Sequence, residues 1–202
     1  MEIIFRPCST WEPAFVDAIR AHYTKSRGAP YGKKLAWEIL ETAPGEYAQH
    51  RGWIGLGEPT FKLAPRRRLG LMDGRPLPGT VNNFIYRLDA KKREGETLAS
   101  DILTLWHEVA ALAWTARYKT VPIHWETMVD PAEVIGDGNI NAGCCFRNAG
   151  YRSLGMTTGR GARRPAVATH AARVWGDVSP KLVFYRGPLH RLPKAQTEGK
   201  AV

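Results

Sequence analysis

The sequence predicts a single mixed α/β domain. Short runs rich in β-branched and aromatic residues alternate along the chain with helical stretches. One of those stretches, Thr97–Tyr118, is long and well patterned. Nothing repeats at a period of roughly 20–50 residues, which excludes a solenoid. With 202 residues, 44% of them apolar and seven of them tryptophan, the chain has enough apolar area for one core. The same arithmetic argues against a disordered chain.

Residues 2–7 (EIIFRP) read as an opening strand. Glu12–Tyr23 reads as a helix, since Phe15, Ile19 and Tyr23 recur every four residues and Thr10 stands where a cap belongs. Thr24–Lys34 contains glycine and proline and is expected to be a loop. Leu35–Glu41 is short and apolar and fits a strand or a helical turn. Gly52–Leu56 is expected to be a strand, and Pro59–Leu71, where apolar residues and arginines mix, is ambiguous. Asp73–Gly79 (DGRPLPG) is turn-rich.

Val81–Leu88 is a strand by its β-branched and aromatic content, and a charged loop, AKKREGE, follows it. In the helix Thr97–Tyr118, the residues Leu98, Ile102, Leu105, Val109, Leu112 and Ala116 form the stripe expected to face the core. Ser100 or Thr97 is expected to cap its start. Pro122–Val129 reads as a strand ended by Asp130-Pro131, Ala142–Ala149 as a short helix stopped by Gly150, and Tyr151–Leu154 and Lys181–Tyr185 as the last strands. The domain is expected to span residues 1–188, with 189–202 a loose polar tail.

Several classes are excluded by composition. No run approaches the roughly 20 uncharged apolar residues of a membrane span, so no membrane partner is expected. The opening MEIIFRPCST has no apolar h-region, so no secretory signal is expected. Three cysteines, two of them adjacent, make neither a disulfide framework nor a zinc pair. The expected compartment is therefore a reducing one, the cytoplasm of a cell or an infected cell. Lys and Arg number 29 against 19 Asp and Glu, a net charge of +10. Such an excess favours polyanions, nucleic acid first. The cations are also clustered: Lys25, Arg27, Lys33 and Lys34; Arg66, Arg67 and Arg68; Arg160, Arg163 and Arg164. With Arg147 they are the candidate contacts to a nucleic-acid backbone, DNA above all.

Two blocks of sequence resemble known proteins. The string ETMVDP, followed after a gap by CCFRNAGYRSLGMTTGRG, is similar to DruA-type phage-defence proteins, and its Asn-Ala-Gly-aromatic helix end resembles the closing helix of the GNAT acyltransferases. AHYTKSRGAPYGKKLAWEI and WIGLGEPTFKLAPRRRLGL resemble the basic loop and the Trp-x-Gly strand of the same proteins. The layout is shared more distantly with the phage Mom proteins, GNAT-like enzymes that decorate DNA adenine against restriction. The resemblance implies a GNAT-like fold and acyl or aminoacyl transfer to a base amine. It implies an acyl donor, acyl-coenzyme A or aminoacyl-tRNA, and leaves a divalent metal open. No Arg/Gln-x-x-Gly-x-Gly loop lies between Leu88 and Leu98.

The candidate catalytic residues are His22, Tyr23, Ser100, Glu126 and Asp130. The His22-Tyr23 pair ends the first helix. An ordinary reading is a histidine at the negative end of a helix dipole; the Mom resemblance implies an active-site pair, in which a neutral imidazole accepts a proton from an amine or ligates a metal. Glu126 and Asp130 flank the end of a strand four residues apart. Asp130 caps a turn before proline, or serves as base at the edge of a ligand crevice. Glu126, in an otherwise apolar strand, needs a partner if buried. Ser100 is a helix cap or, by resemblance, a donor contact. Thr157, Thr158 and Gly159, with Arg160 and Gly161, fit a phosphate-cradling loop for the donor. Cys144 and Cys145 are expected to pack in the core. The alternative to an enzyme is a non-catalytic nucleic-acid-binding component of a phage-defence or counter-defence system.

Overall fold

Strand-forming segments dominate the chain, and in the computed structural model seven of them hydrogen-bond into one sheet. The structure describes residues 1–22, 29–60, 62–71, 73–89, 97–131, 141–157 and 180–188. The strands are β1 (Glu2–Cys8), β2 (Lys34–Thr42), β3 (Gln49–Gly57), β4 (Thr80–Leu88), β5 (His124–Val129), β6 (Arg152–Met156) and β7 (Leu182–Arg186). Their order is β1-β2-β3-β4-β5-β7-β6. Neighbours are antiparallel, except for the central pair β4 and β5, which run parallel. The helices among the described residues are α1 (Pro13–Ala21), α2 (Ala99–Tyr118) and α3 (Cys144–Asn148), with a 3₁₀ turn at Ala64–Leu69. The mixed α/β domain is as expected, and the ambiguous Leu35–Glu41 lies within β2.

Side-chain alternation along the strands divides the core between two faces. Trp37, Ile39, Ile54 and Leu56 meet α2 and α3 on one face. Ala36, Trp53 and Ile85 meet Phe15, Ala18 and Ile19 of α1 on the other. The 3₁₀ turn lies on the α1 side, where Leu63 packs with Leu154, Val183 and Tyr185. The head of α2 is held by the Tyr86 hydroxyl, which donates to the Ala99 carbonyl at 2.7 Å. Its tail is held by the Tyr118 hydroxyl, which donates to the Lys34 carbonyl at 2.8 Å and accepts the Lys34 N–H at 3.0 Å.

Several local expectations are corrected. Glu12, not Thr10, precedes the first turn of α1, and the helix stops at Ala21 with His22 already extended. Leu98 takes the cap position of α2, so neither Thr97 nor Ser100 caps it. Thr97 instead donates its N–H and hydroxyl to Glu41, at 2.9 and 2.7 Å. The expected core stripe of α2 is also shifted. Ile102 is buried, but Leu98, Leu105, Val109 and Leu112 are exposed, and the core takes Leu103, Trp106, Ala110 and Trp114. Helical spacing marks both stripes, and only packing against the indoles of Trp37 and Trp125 chooses between them. Cys144 is exposed rather than in the core, and Cys145 is half-buried.

His107, on the buried face of α2, accepts a hydrogen bond at Nδ1 from Arg186 and lies 2.7 Å through Nε2 from the Tyr151 hydroxyl. Burial, helped by the Arg186 charge, lowers its pKa from 6.5 to about 3. The unfolded chain therefore takes up this proton at a higher pH than the folded one does, so stability is complete above pH 6.5 and falls as pH drops toward 3. The loss expected is about 1.4 kcal/mol per pH unit across that window. Urea denaturation between pH 7 and pH 4 measures it, and His107→Phe should flatten the slope relative to the parent.

Candidate functional site

The register of β4 against its neighbours creates the site. β4 pairs with β5 only from Thr80–His124 to Asn83–Thr127, and the two strands then separate. On its other side, Leu56 pairs with Asn83 and Gly55 with Ile85, which leaves Phe84 as the extra residue of a bulge. The Asn83 carboxamide fastens that bulge by donating to the carbonyls of Gly55 and Ile85, at 3.1 and 3.0 Å. The Thr127 hydroxyl closes the last rung by donating to the Asn83 carbonyl at 3.0 Å. Glycines in β3 make room for the displaced ring. A Cβ at Gly55 would stand 2.5 Å from the Phe84 ring, and one at Gly57 would stand 3.2 Å from it.

A cavity of about 390 Å³ opens where the strands separate, on the α1 side of the sheet. His22, Glu58, Asn82, Phe84 and Met128 are among the residues that line it. His22 is buried and hydrogen-bonds the Tyr86 backbone, on the stretch of β4 that β5 has left. Burial lowers its pKa from 6.5 to about 4, and the charges of Arg87 and Lys181 push the same way. The imidazole is therefore neutral at pH 7 and able to accept a proton. Asn82 is only 8% exposed, and its carboxamide makes no hydrogen bond to the described residues. It is thus available to a ligand as a paired donor and acceptor.

The other predicted catalytic residues take different places. Asp130 is buried and accepts a hydrogen bond from Lys181 Nζ at 2.6 Å. The Lys181 charge also acts on His22, as the smallest of the influences on its imidazole. Glu126 is engaged by Arg66. It is 2% exposed and forms a two-point ion pair with Arg66, Nε to Oε1 at 2.7 Å and Nη2 to Oε2 at 2.6 Å. Ser100 lies in the first turn of α2 on the opposite face from His22, its hydroxyl 3.5 Å from Asp101 Oδ1. Tyr23 lies outside the described residues.

The cationic candidates divide as well. Arg66 is fully buried, and its remaining Nη1 donates to the carbonyls of Thr60 and Gly74, at 2.8 and 2.9 Å. It cannot reach a phosphate; it pins the connection between β3 and β4 onto the sheet and so fixes the cavity wall at Glu58–Thr60. Arg67 and Arg68 are exposed on the cavity's side of the sheet, where Arg68 lies against Gly155. Lys33 and Lys34 flank the cavity rim, but their ammonium groups turn to the Tyr118 ring and to the Pro30 carbonyl. Arg147 sits on the far face, over the Phe184 ring. Thr157 is engaged with Lys181: its N–H donates to the Lys181 carbonyl at 2.8 Å, and its hydroxyl accepts the Lys181 N–H at 2.9 Å. Lys25, Arg27, Thr158, Gly159, Arg160, Arg163 and Arg164 lie outside the described residues.

Asn82, Glu58, Phe84 and Lys181 were missed as site residues. For Asn82 a signal existed, since two consecutive asparagines interrupt an otherwise apolar strand. For the others there was none, because the bulge and the strand separation that gather them are long-range features. Among the described residues no group of three or more His, Cys, Asp and Glu side chains is placed to hold a metal. No described helix is long and apolar enough to cross a membrane. No protein-family model, curated protein or solved structure matches the chain.

Removing either partner of the Arg66–Glu126 pair strands a buried charge. Arg66→Met or Glu126→Gln is expected to cost about 3–5 kcal/mol in urea denaturation. The double variant Arg66→Met/Glu126→Leu should recover most of the loss.

Proposed function

We propose that this chain is a GNAT-like transferase that places an acyl or aminoacyl-type group on an amine of a nucleic-acid base, in the first place the exocyclic amine of adenine in DNA. The observation that carries the reading is the cavity where β4 and β5 separate, with neutral His22 and the buried Asn82 carboxamide in its wall. α/β sheets bind ligands beyond the carboxyl ends of their parallel strands, and the parallel strands β4 and β5 part at those ends here. A single mixed sheet of seven strands with helices on both faces supports an α/β transferase reading. The resemblance to the DruA and Mom proteins and the net charge of +10 support a polynucleotide acceptor.

In this reading a base leaves its stack and enters the cavity, because an amine inside a duplex is out of reach. Phe84 offers an apolar wall to the ring, and the Asn82 amide faces its polar edge, as asparagine does with the donor–acceptor pair of adenine. The amine nitrogen forms a bond to the acyl carbon, the bond from that carbon to its leaving group breaks, and His22 takes the proton the nitrogen loses. Burial keeps the His22 imidazole neutral, and the charges of Arg87 and of Lys181, which is paired with Asp130, act in the same direction.

A second reading, nucleic-acid binding without chemistry, is favoured by the lack of an Arg/Gln-x-x-Gly-x-Gly sequence between Leu88 and Leu98. Mass spectrometry of nucleosides from cells that express the protein separates the two. An adduct that disappears with His22→Ala supports transfer; unmodified DNA, together with salt-sensitive DNA binding by the purified protein, supports binding alone. For a transferase, His22→Ala should lower kcat/KM by roughly 10²–10⁴-fold. Since the base works unprotonated and its pKa is about 4, the rate should be level near neutrality and fall as the pH drops through 4.

A further inference from the structure

Among the described residues three aromatic side chains are exposed, Trp11, Tyr31 and Tyr47. Two of them belong to one surface at the mouth of the cavity. Tyr31 lines the cavity and is nevertheless 97% exposed, so its ring stands at the rim. The Lys34 ammonium joins Trp11 to that rim: Nζ donates to the Pro30 carbonyl at 2.8 Å and lies 5.6 Å from the centre of the Trp11 ring. Trp11 itself remains 80% exposed.

The fold braces this surface. Pro30 packs on Gly57 of β3, where a Cβ would stand 3.2 Å from the Pro30 ring. Gly32 takes a left-handed φ of +86°, and the Glu58 carboxylate lies against it. The Glu58 N–H donates to the Lys33 carbonyl at 3.1 Å. Flat rings held in solvent in this way suit a partner that lays rings of its own on them.

The charges nearby indicate which partner. On the other flank of the cavity, Met128 packs with the Leu63 cluster of the 3₁₀ turn, and that turn carries exposed Arg67 and Arg68. Aromatic faces on one flank and guanidinium groups on the other match the bases and the phosphates of a polynucleotide. Glu58, the acid at the mouth, can accept a hydrogen bond from a base amine.

We infer that the acceptor is a single strand, and that the bases beside the target stack on Tyr31 and then on Trp11. The inference rests on the reading that a base enters the cavity. The neighbours of that base then lie over the mouth. In a duplex their faces stay covered by the adjoining base pairs; in a single strand the faces are free to lie on protein rings.

Fluorescence anisotropy of the full chain with three labelled probes tests this: a single-stranded oligodeoxynucleotide, a sugar–phosphate chain of the same length without bases, and the matching duplex. The parent should bind the single strand most tightly. Trp11→Ala and Tyr31→Ala should each weaken that binding roughly 5- to 100-fold and leave binding of the base-free chain unchanged. Trp11→Phe and Tyr31→Phe should keep most of the affinity. Because both side chains lie in solvent, all four variants should melt with the parent. Equal affinity for the single strand and the base-free chain, tighter binding of the duplex, or alanine variants that bind the single strand like the parent overturns the inference. A nucleoside adduct formed in cells then leaves the transfer reading standing. A parent that binds none of the three probes at low salt overturns both.

Discussion

Asn83 and Thr127 form the last rung between two parallel strands that diverge immediately beyond it, and the site depends on how that rung is held. Asn83 is fastened on three sides, by Gly55, Ile85 and Thr127. The bulge at Phe84 shifts the alternation of β4, so that Val81 and Tyr86 both reach the α2 face although they stand an odd number of positions apart, while Ile85 turns to α1. Without the extra residue Ile85 and Tyr86 would exchange faces, and the Tyr86 hydroxyl could not hold the head of α2. The bulge that shapes the cavity is thus the feature that seats the longest helix.

Three buried or nearly buried ion pairs surround this centre, and each fixes a connection. Arg66–Glu126 holds the 3₁₀ turn on the sheet. Arg51–Glu41, with Thr97 on the same carboxylate, holds the entry to α2. Lys181–Asp130 ties the start of β7 to the end of β5. A buried charge is tolerated only when it is paired and hydrogen-bonded. Charged residues in apolar strands therefore draw the eye in a sequence, and here the physical reason for most of them is chain tethering. His22 differs in kind: burial keeps it neutral, and it faces a cavity.

Most elements were legible because their signals are local. Val81–Leu88, Thr97–Tyr118 and Lys181–Tyr185 carry period and composition within a single stretch. The faces of α2 were not legible, since Leu105 and Leu112 satisfy helical spacing as well as Leu103 and Trp106 do. The site was half-legible. His22 stood out as a histidine beside a basic loop, while Arg66 and Arg67, adjacent in the chain, look alike as sequence although one is fully buried and the other exposed.

The sequence by itself determined the α/β class, the place of most strands and helices and the positive charge, because all of these follow from local pattern and composition. Only the tertiary structure decided which acids and bases neutralise one another, which apolar stripe of α2 enters the core and where β4 leaves β5. Those outcomes turn on partners dozens of residues away, whose approach is set by the register of the whole sheet.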